Sequence, residues 1–300
     1  MGTTASGKSA LAMEVARRLP GPPVELVSVD SMAVYRGMDI GTAKPSATER
    51  AEVAHHLVDL ADPAEDYSVA HYQAAAFGAI AGIEGRGHRA LLVGGTGLYL
   101  RAVVDGLEVP GTWPQVRAEL DAEADTAALH RRLTTLDPVA AGRMTPDNRR
   151  RVVRALEVTV GSGRPFSSFG PGLDRHPPTP FVLTGVWLPR PVVARRIAER
   201  VAAMVAGGLV EETAALAARP GGLSRTAGQA LAYRELLDHL AGRCSLAEAV
   251  ELAVRRTRAF ARRQRMWFRR DPRITWYGTA ENPLAVLSAL LGDWSTPWRR

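Results

Sequence analysis

The 300-residue chain predicts an α/β fold, a parallel sheet with flanking helices, carrying an all-helical insertion. Three observations carry that expectation. Short apolar runs alternate with helical spacings in the N-terminal part. After Pro110 the chain becomes mostly helical and carries few β-branched runs. A strand-like run then returns at 181–188, which makes the intervening helices an insertion rather than a tail.

In order along the chain, Leu11, Ala12, Val15, Ala16 and Leu19 fall at helical spacing, so a helix opens near Gly7. Pro20, Gly21, Pro22 and Pro23 end it. The apolar run 24–29 reads as a buried strand with Asp30 and Ser31 at its C-terminal tip. Residues 68–84 read as a helix, and 90–93 as a second buried strand running into Gly94, Gly95 and Gly97. Ligands of such sheets gather at the carboxyl ends of strands, where Asp30 and Thr96 fall. Residues 114–160 are mostly helical, 161–180 form a loop rich in Gly, Pro and Ser, and 192–270 are helical with a break at 220–222. The expected division is a core at 1–112, a helical insertion at 113–178 and the rest of the core, with basic C-terminal helices, at 179–300.

Composition narrows the function classes. With 46% hydrophobic and 23% charged residues, the chain reads as a soluble globular protein. Its net charge of +7 points toward a polyanionic partner, although basic proteins that bind no nucleic acid share that balance. The single cysteine, Cys244, excludes an internal disulfide and a cysteine-based zinc site. No apolar run is long enough to span a bilayer and no signal-peptide core follows Met1, so no membrane partner and a cytoplasmic location are expected.

Gly2-Thr3-Thr4-Ala5-Ser6-Gly7-Lys8-Ser9 matches the phosphate-loop pattern G-x-x-x-x-G-K-[ST] in full. Glycines let backbone amides turn inward around phosphate oxygens, and the following helix adds its positive end. Lys8 supplies a point charge and the Ser9 hydroxyl a ligand for Mg2+. These residues predict a P-loop NTPase-like sheet. Such a loop normally follows a central strand, yet only Met1 precedes Gly2. The expectation is therefore a core whose first strand is missing, through either a start upstream of Met1 or a form that lacks the strand.

The stretch from Asp30 to Pro45, DSMAVYRGMDIGTAKP, makes the reading specific. Together with the phosphate loop it resembles the tRNA dimethylallyltransferase (isopentenyl-diphosphate:tRNA transferase) family of bacterial type. Further matches are HHLVD at 55–59, VGGTGLY at 93–99, NRRRVVRALE at 148–157, Tyr233-Arg234-Glu235, Arg262-Arg263-Gln264 and WFRR at 267–270. Thr3 stands where the family usually has proline, Ala33 where it often has glutamine, and Ala232 where glycine is usual. Ala33 bears on one polar contact to the tRNA.

The resemblance implies transfer of a dimethylallyl group from dimethylallyl diphosphate to N6 of the adenosine 3′ of the anticodon, with release of diphosphate. An aryl amine is a weak nucleophile, so a base should accept its proton, and the leaving diphosphate needs its charge neutralised. On this reading Asp30 is the base and residues 2–9 hold the diphosphate, with Mg2+ on Ser9. Thr96 contacts substrate, and Arg196, Arg200 and Arg117 correspond approximately to family arginines near the diphosphate and the tRNA. Asp30, Ser31, Met32 and Ala33 would surround the acceptor base, extruded from its stack. Asp30 as a metal ligand or helix cap, Thr96 as a turn-capping hydroxyl, and the arginines as solvated helix faces remain open alternatives.

Two basic elements suit an RNA backbone. Arg255, Arg258, Arg262, Arg265 and Arg269 step along one helix face, and Arg149, Arg150, Arg151 and Arg154 lie in the insertion. The expectation is an anticodon stem-loop held between the core and an inserted tRNA-binding domain, on a monomer. The His55-His56 pair reads as packing or hydrogen bonding, because adjacent side chains diverge and no third metal ligand has suitable spacing. A small-molecule or nucleotide kinase shares the phosphate loop but leaves the basic helices and the block after Asp30 without a use. A non-catalytic RNA-binding module with a degenerate phosphate site is the other alternative.

Overall fold

The computed structural model describes residues 1–170, 172, 173 and 175–295. It divides into two compact units: residues 1–104 together with the chain from Thr179 onward, and Asp105–Pro178. The second unit thus begins at Asp105 rather than at 113.

In the first unit, strands β1 (Val24–Val29), β2 (His55–His56) and β3 (Arg89–Gly94) form a parallel sheet in the order β2-β1-β3. The register pairs Val24 with Arg89 and Val29 with Gly94, so Asp30 and the Gly95-Thr96 pair leave the sheet side by side. Strands β4 (Thr184–Trp187) and β5 (Thr275–Gly278) make a second parallel pair. β2 is two residues long and β5 is largely exposed, so neither carries the apolar run that marks a strand in sequence. β4 is shorter than the expected 181–188. Met1 and Gly2 run beside β4, with the Val186 amide donating to the Met1 carbonyl at 2.9 Å and Gly2 bridged to Val186. β3 is an edge strand, and its apolar residues Leu91, Leu92 and Val93 are only half-buried.

The helix Lys8–Arg18 buries Leu11, Ala12, Met13 and Val15, the face its spacing predicts. Leu11 and Val15 pack with Val186, Leu188, Ile197, Val286, Leu287 and Leu290, while Ala12 and Met13 meet Val24 and Leu26 of β1. The segment expected to be helical over 192–270 is four helices: Arg190–Ala206, Leu209–Ala217, Tyr233–Leu240 and Leu246–Phe268. Gly207 and Gly208 add a break that the proline-based reading passes over, because Gly208 takes a φ of 99°. Ser245 and Glu248 form a capping box that starts the longest helix. Among the described residues, no helix is long and apolar enough to cross a membrane.

The second unit packs the helices Pro114–Ala122, Thr126–Leu136 and Arg149–Ser162 around Leu120, Leu129, Leu133, Val152, Val153 and Leu156. Asp125 and Asn148 cap two of these helices with side-chain oxygens.

Candidate active site

The loop at residues 2–8 is shaped by alternating backbone hands. Ala5 (φ 59°) and Gly7 (φ 79°) are left-handed, which turns successive amides to one side and forms an anion-binding concavity. Gly7 is required twice over, by its φ and because an added Cβ would stand 2.3 Å from Cγ of Pro283. It caps the helix Lys8–Arg18, whose first turn holds no acidic residue to neutralise its positive end. Three loop residues have other duties. Gly2 is buried beside β4, the Ser6 side chain is fully buried, and the Thr4 amide donates to Gln264 Oε1 at 2.8 Å.

Ala5, Gly7, Lys8, Ser9, Ala10, Arg196 and Arg200 line a cleft of about 230 Å3. Burial pulls the Lys8 ammonium down to about 8; the charge of Asp30 opposes that shift, and Arg200 adds to it. Burial also lowers Arg200, again opposed by Asp30. Lys8, Arg200 and Asp30 therefore share one electrostatic neighbourhood, in which two desolvated cations favour an incoming anion. Arg196 lines the same cleft and donates to the Glu281 carbonyl at 3.0 Å. Ser9 is exposed on the cleft wall, so its hydroxyl is accessible to a metal ion. Among the described residues no three His, Cys, Asp or Glu side chains gather to hold a metal. The accessible Ser9 hydroxyl is a donor that could join substrate phosphate oxygens and water around Mg2+.

Asp30 stands at the tip of β1. Its Oδ1 accepts from the amides of Met32 (2.8 Å) and Ala33 (3.3 Å), while Oδ2 makes no hydrogen bond among the described residues. Thr96 Oγ1 accepts from the Ser31 amide at 3.2 Å, and the amides of Gly95 and Thr96 both donate to the Val29 carbonyl. Ser31 and Met32 are half-buried and Ala33 is buried. Asp30, Ser31, Met32, Ala33 and Thr96 thus form one connected loop pair, adjacent through Asp30 to the charges of the cleft.

Sequence reasoning assigned no role to the side chains that hold the neighbouring chain in place. Glu212 accepts from the amides of Asp39 (3.0 Å), Ile40 (2.8 Å) and Gly41 (3.3 Å) and from the Tyr233 hydroxyl. Lys44 donates to the Tyr35 carbonyl, Asp39 and Asp59. Gln264 bonds both the Thr4 amide and the Gly95 carbonyl. Beyond its place in the Arg262-Arg263-Gln264 match, its signal is its position on the buried stripe Ala253, Ala261, Gln264, Phe268, where a polar residue demands a partner.

Several of the expected arginines make contacts within the protein. Arg117 lies in the second unit and pairs with Asp121 (2.8 Å) and Glu157 (3.6 Å). Arg154 holds Glu157 and the carbonyls of Pro110 and Gly111, and Arg258 donates to the Ala194 carbonyl. Arg150, Arg151 and Arg262 are exposed. His56 and His88 both meet the carboxylate of Glu25, which Arg86 above all holds down at about 2. His55 Nδ1 faces the Val53 carbonyl.

Comparison with known proteins gives one consistent result. Residues 33–271 match the family model described as IPP transferase. The chain is 47% identical over 299 residues to a tRNA dimethylallyltransferase of Nocardioides sp., covering 97% of this chain and 95% of that protein. It is 50% identical over 289 residues to the protein of that name from Salinispora tropica, covering 95% and 89%. A crystal structure of the tRNA isopentenylpyrophosphate transferase of Bacillus halodurans aligns with TM-score 0.71 at 37% identity, over 98% of this chain and 93% of that one. A eukaryotic dimethylallyltransferase solved acting on tRNA has the same fold, with TM-score 0.75 at 24% identity over 98% of this chain and 74% of that one.

Proposed function

The chain belongs to the IPP transferase family, and we infer that it transfers a dimethylallyl group from dimethylallyl diphosphate to N6 of the adenosine 3′-adjacent to the anticodon in tRNA. The observation that carries this reading is Asp30, placed at a strand tip within electrostatic reach of the cations of an anion cleft. A proton acceptor beside a diphosphate cradle is what alkylation of a weak amine by an allylic diphosphate requires.

On this reading the α/β core is of P-loop type and its loop holds a diphosphate instead of the phosphates of ATP. Lys8, the amides at the helix start and Arg200 bind the diphosphate. Arg196, lining the same cleft, adds charge at its edge. The adenine amine sits between Asp30 and Thr96. As nitrogen bonds to the allylic carbon, the carbon–oxygen bond to diphosphate breaks, and the N6 proton passes to Oδ2 of Asp30. Mg2+ on Ser9 would neutralise charge on the leaving diphosphate. Ser31, Met32 and Ala33 line the base, and Arg150, Arg151 and Arg262 supply phosphate contacts to the anticodon stem-loop. On this reading the protein acts as a monomer.

The test separates the two halves of the site. Asp30→Ala should lower turnover by roughly 10²- to 10⁴-fold while leaving diphosphate binding intact. Lys8→Ala should weaken diphosphate binding. Because Lys8 loses its proton above about 8, wild-type affinity for inorganic diphosphate should decline as pH rises past that value, and the decline should flatten in Lys8→Ala. Near-normal prenylation by Asp30→Ala removes the base from the mechanism. Transfer of phosphate from labelled ATP without any prenylation would establish a kinase instead.

A further inference from the structure

We propose that Gln264 is a positioning residue that sets the spacing between the diphosphate loop and the acceptor loop; this rests on the reaction proposed above. Gln264 sits near the end of the helix Leu246–Phe268 and is 7% exposed. Its Oε1 accepts from the Thr4 amide at 2.8 Å, and its Nε2 donates to the Gly95 carbonyl at 2.9 Å. One planar amide thus joins the main chain of both loops. From Gly95 the connection continues through Thr96, whose Oγ1 holds the Ser31 amide at 3.2 Å, to Asp30.

The surroundings are built around this contact. A Cβ on Gly95 would lie 2.4 Å from Gln264 Nε2, and one on Gly97 would lie 2.2 Å from Trp267 Nε1. The helix therefore presses directly on the backbone of the acceptor loop, with Trp267 alongside. An apolar side chain of similar size would fill the space but satisfy neither the Thr4 amide nor the Gly95 carbonyl. Only a group that accepts at one end and donates at the other spans the two loops. Glutamine does this, whereas an ionised glutamate accepts at both ends. Bond formation at N6 requires the allylic carbon within a near-attack distance of it, and an error of about 1 Å costs on the order of 100-fold.

The experiment compares the wild type with Gln264→Leu and Gln264→Glu on an anticodon stem-loop and dimethylallyl diphosphate. Wild-type prenylation in the same assay reads the assigned reaction independently of the variants. Gln264→Leu should lose roughly 10- to 100-fold in kcat, while the affinities for inorganic diphosphate and for the stem-loop, each measured alone, change less than about threefold. Gln264→Glu supplies the readout that packing would not move. Its carboxylate accepts from Thr4 but repels the Gly95 carbonyl, and protonation restores the donor. Burial and the facing carbonyl raise that carboxyl, so kcat relative to wild type should climb about tenfold as pH falls from about 8 to about 6. A ratio flat with pH, or a Gln264→Leu enzyme within about twofold of wild-type kcat, overturns the proposal. If Gln264→Leu fails to fold, the Gln264→Glu profile alone decides.

Discussion

The helices Arg149–Ser162 and Leu246–Phe268 are both arginine-rich, yet they spend their arginines differently. In the first, Arg149 closes the end of the helix Pro114–Ala122 by donating to the carbonyls of Leu120, Asp121 and Glu123, and Arg154 ties Glu157 to the carbonyls of Pro110 and Gly111. Arg150 and Arg151, lying between them in sequence, are exposed. In the second, the inward arginines reach distant helices and strands: Arg256 pairs with Glu235, Arg258 with the Ala194 carbonyl, and Arg265 lies over the Trp187 ring. Arg255 pairs with Glu251 on its own helix, which leaves Arg262 and Arg269 exposed and without a charged partner among the described residues. Regular spacing alone therefore overstates a phosphate-tracking stripe. Successive members fall alternately toward a packed neighbour and toward water.

That contrast is breakable. The largest effect should come from Arg256→Ala, which leaves Glu235, 1% exposed, without its cation. A loss of about 3 kcal/mol in urea unfolding is expected, and an unchanged midpoint would show that the pair is not structural. Arg154→Ala should cost roughly 1–2 kcal/mol by leaving three hydrogen-bond acceptors without their donor, with no change in the salt dependence of tRNA binding. A reduced salt slope there would return Arg154 to the RNA surface.

Ala232 belongs to the same cluster, since its amide donates to Glu235. Its φ of 71° with ψ of −45° is costly for any residue with a Cβ. Ala232→Gly should therefore raise stability by about 1 kcal/mol, offset in part by one lost buried methyl; a lower Tm would mean that the methyl packing dominates. The smallest change in stability should come from Arg151→Ala and Arg262→Ala, within about 0.5 kcal/mol of wild type. Each should nonetheless reduce the slope of log K against log salt by about 0.7 to 0.9 for tRNA. Unchanged slopes in both would make these arginines plain solvated surface.

Much of the site was legible because its signals are local. A glycine-rich loop followed by helical periodicity places Lys8 and Ser9 at a helix start, and an apolar run ending in Asp30 places a carboxylate at a strand tip. The strands β2 and β5 escaped because a pair of histidines and an exposed TWYG run form strands only against partners far away in the chain. The unit boundary at Asp105 rather than 113 escaped because no change of composition marks it.

The sequence by itself determined a glycine-rich loop running into a helix, a carboxylate at a strand tip and a surplus of arginine. Tertiary structure alone decided which arginines stay free, that Glu212 holds residues 39–41, and that Gln264 joins loops 260 and 169 residues away from it in the chain. The reason is physical. Periodicity and turn chemistry act over a few residues, whereas the partner of a buried polar group is chosen by whichever distant backbone packing brings within hydrogen-bond reach.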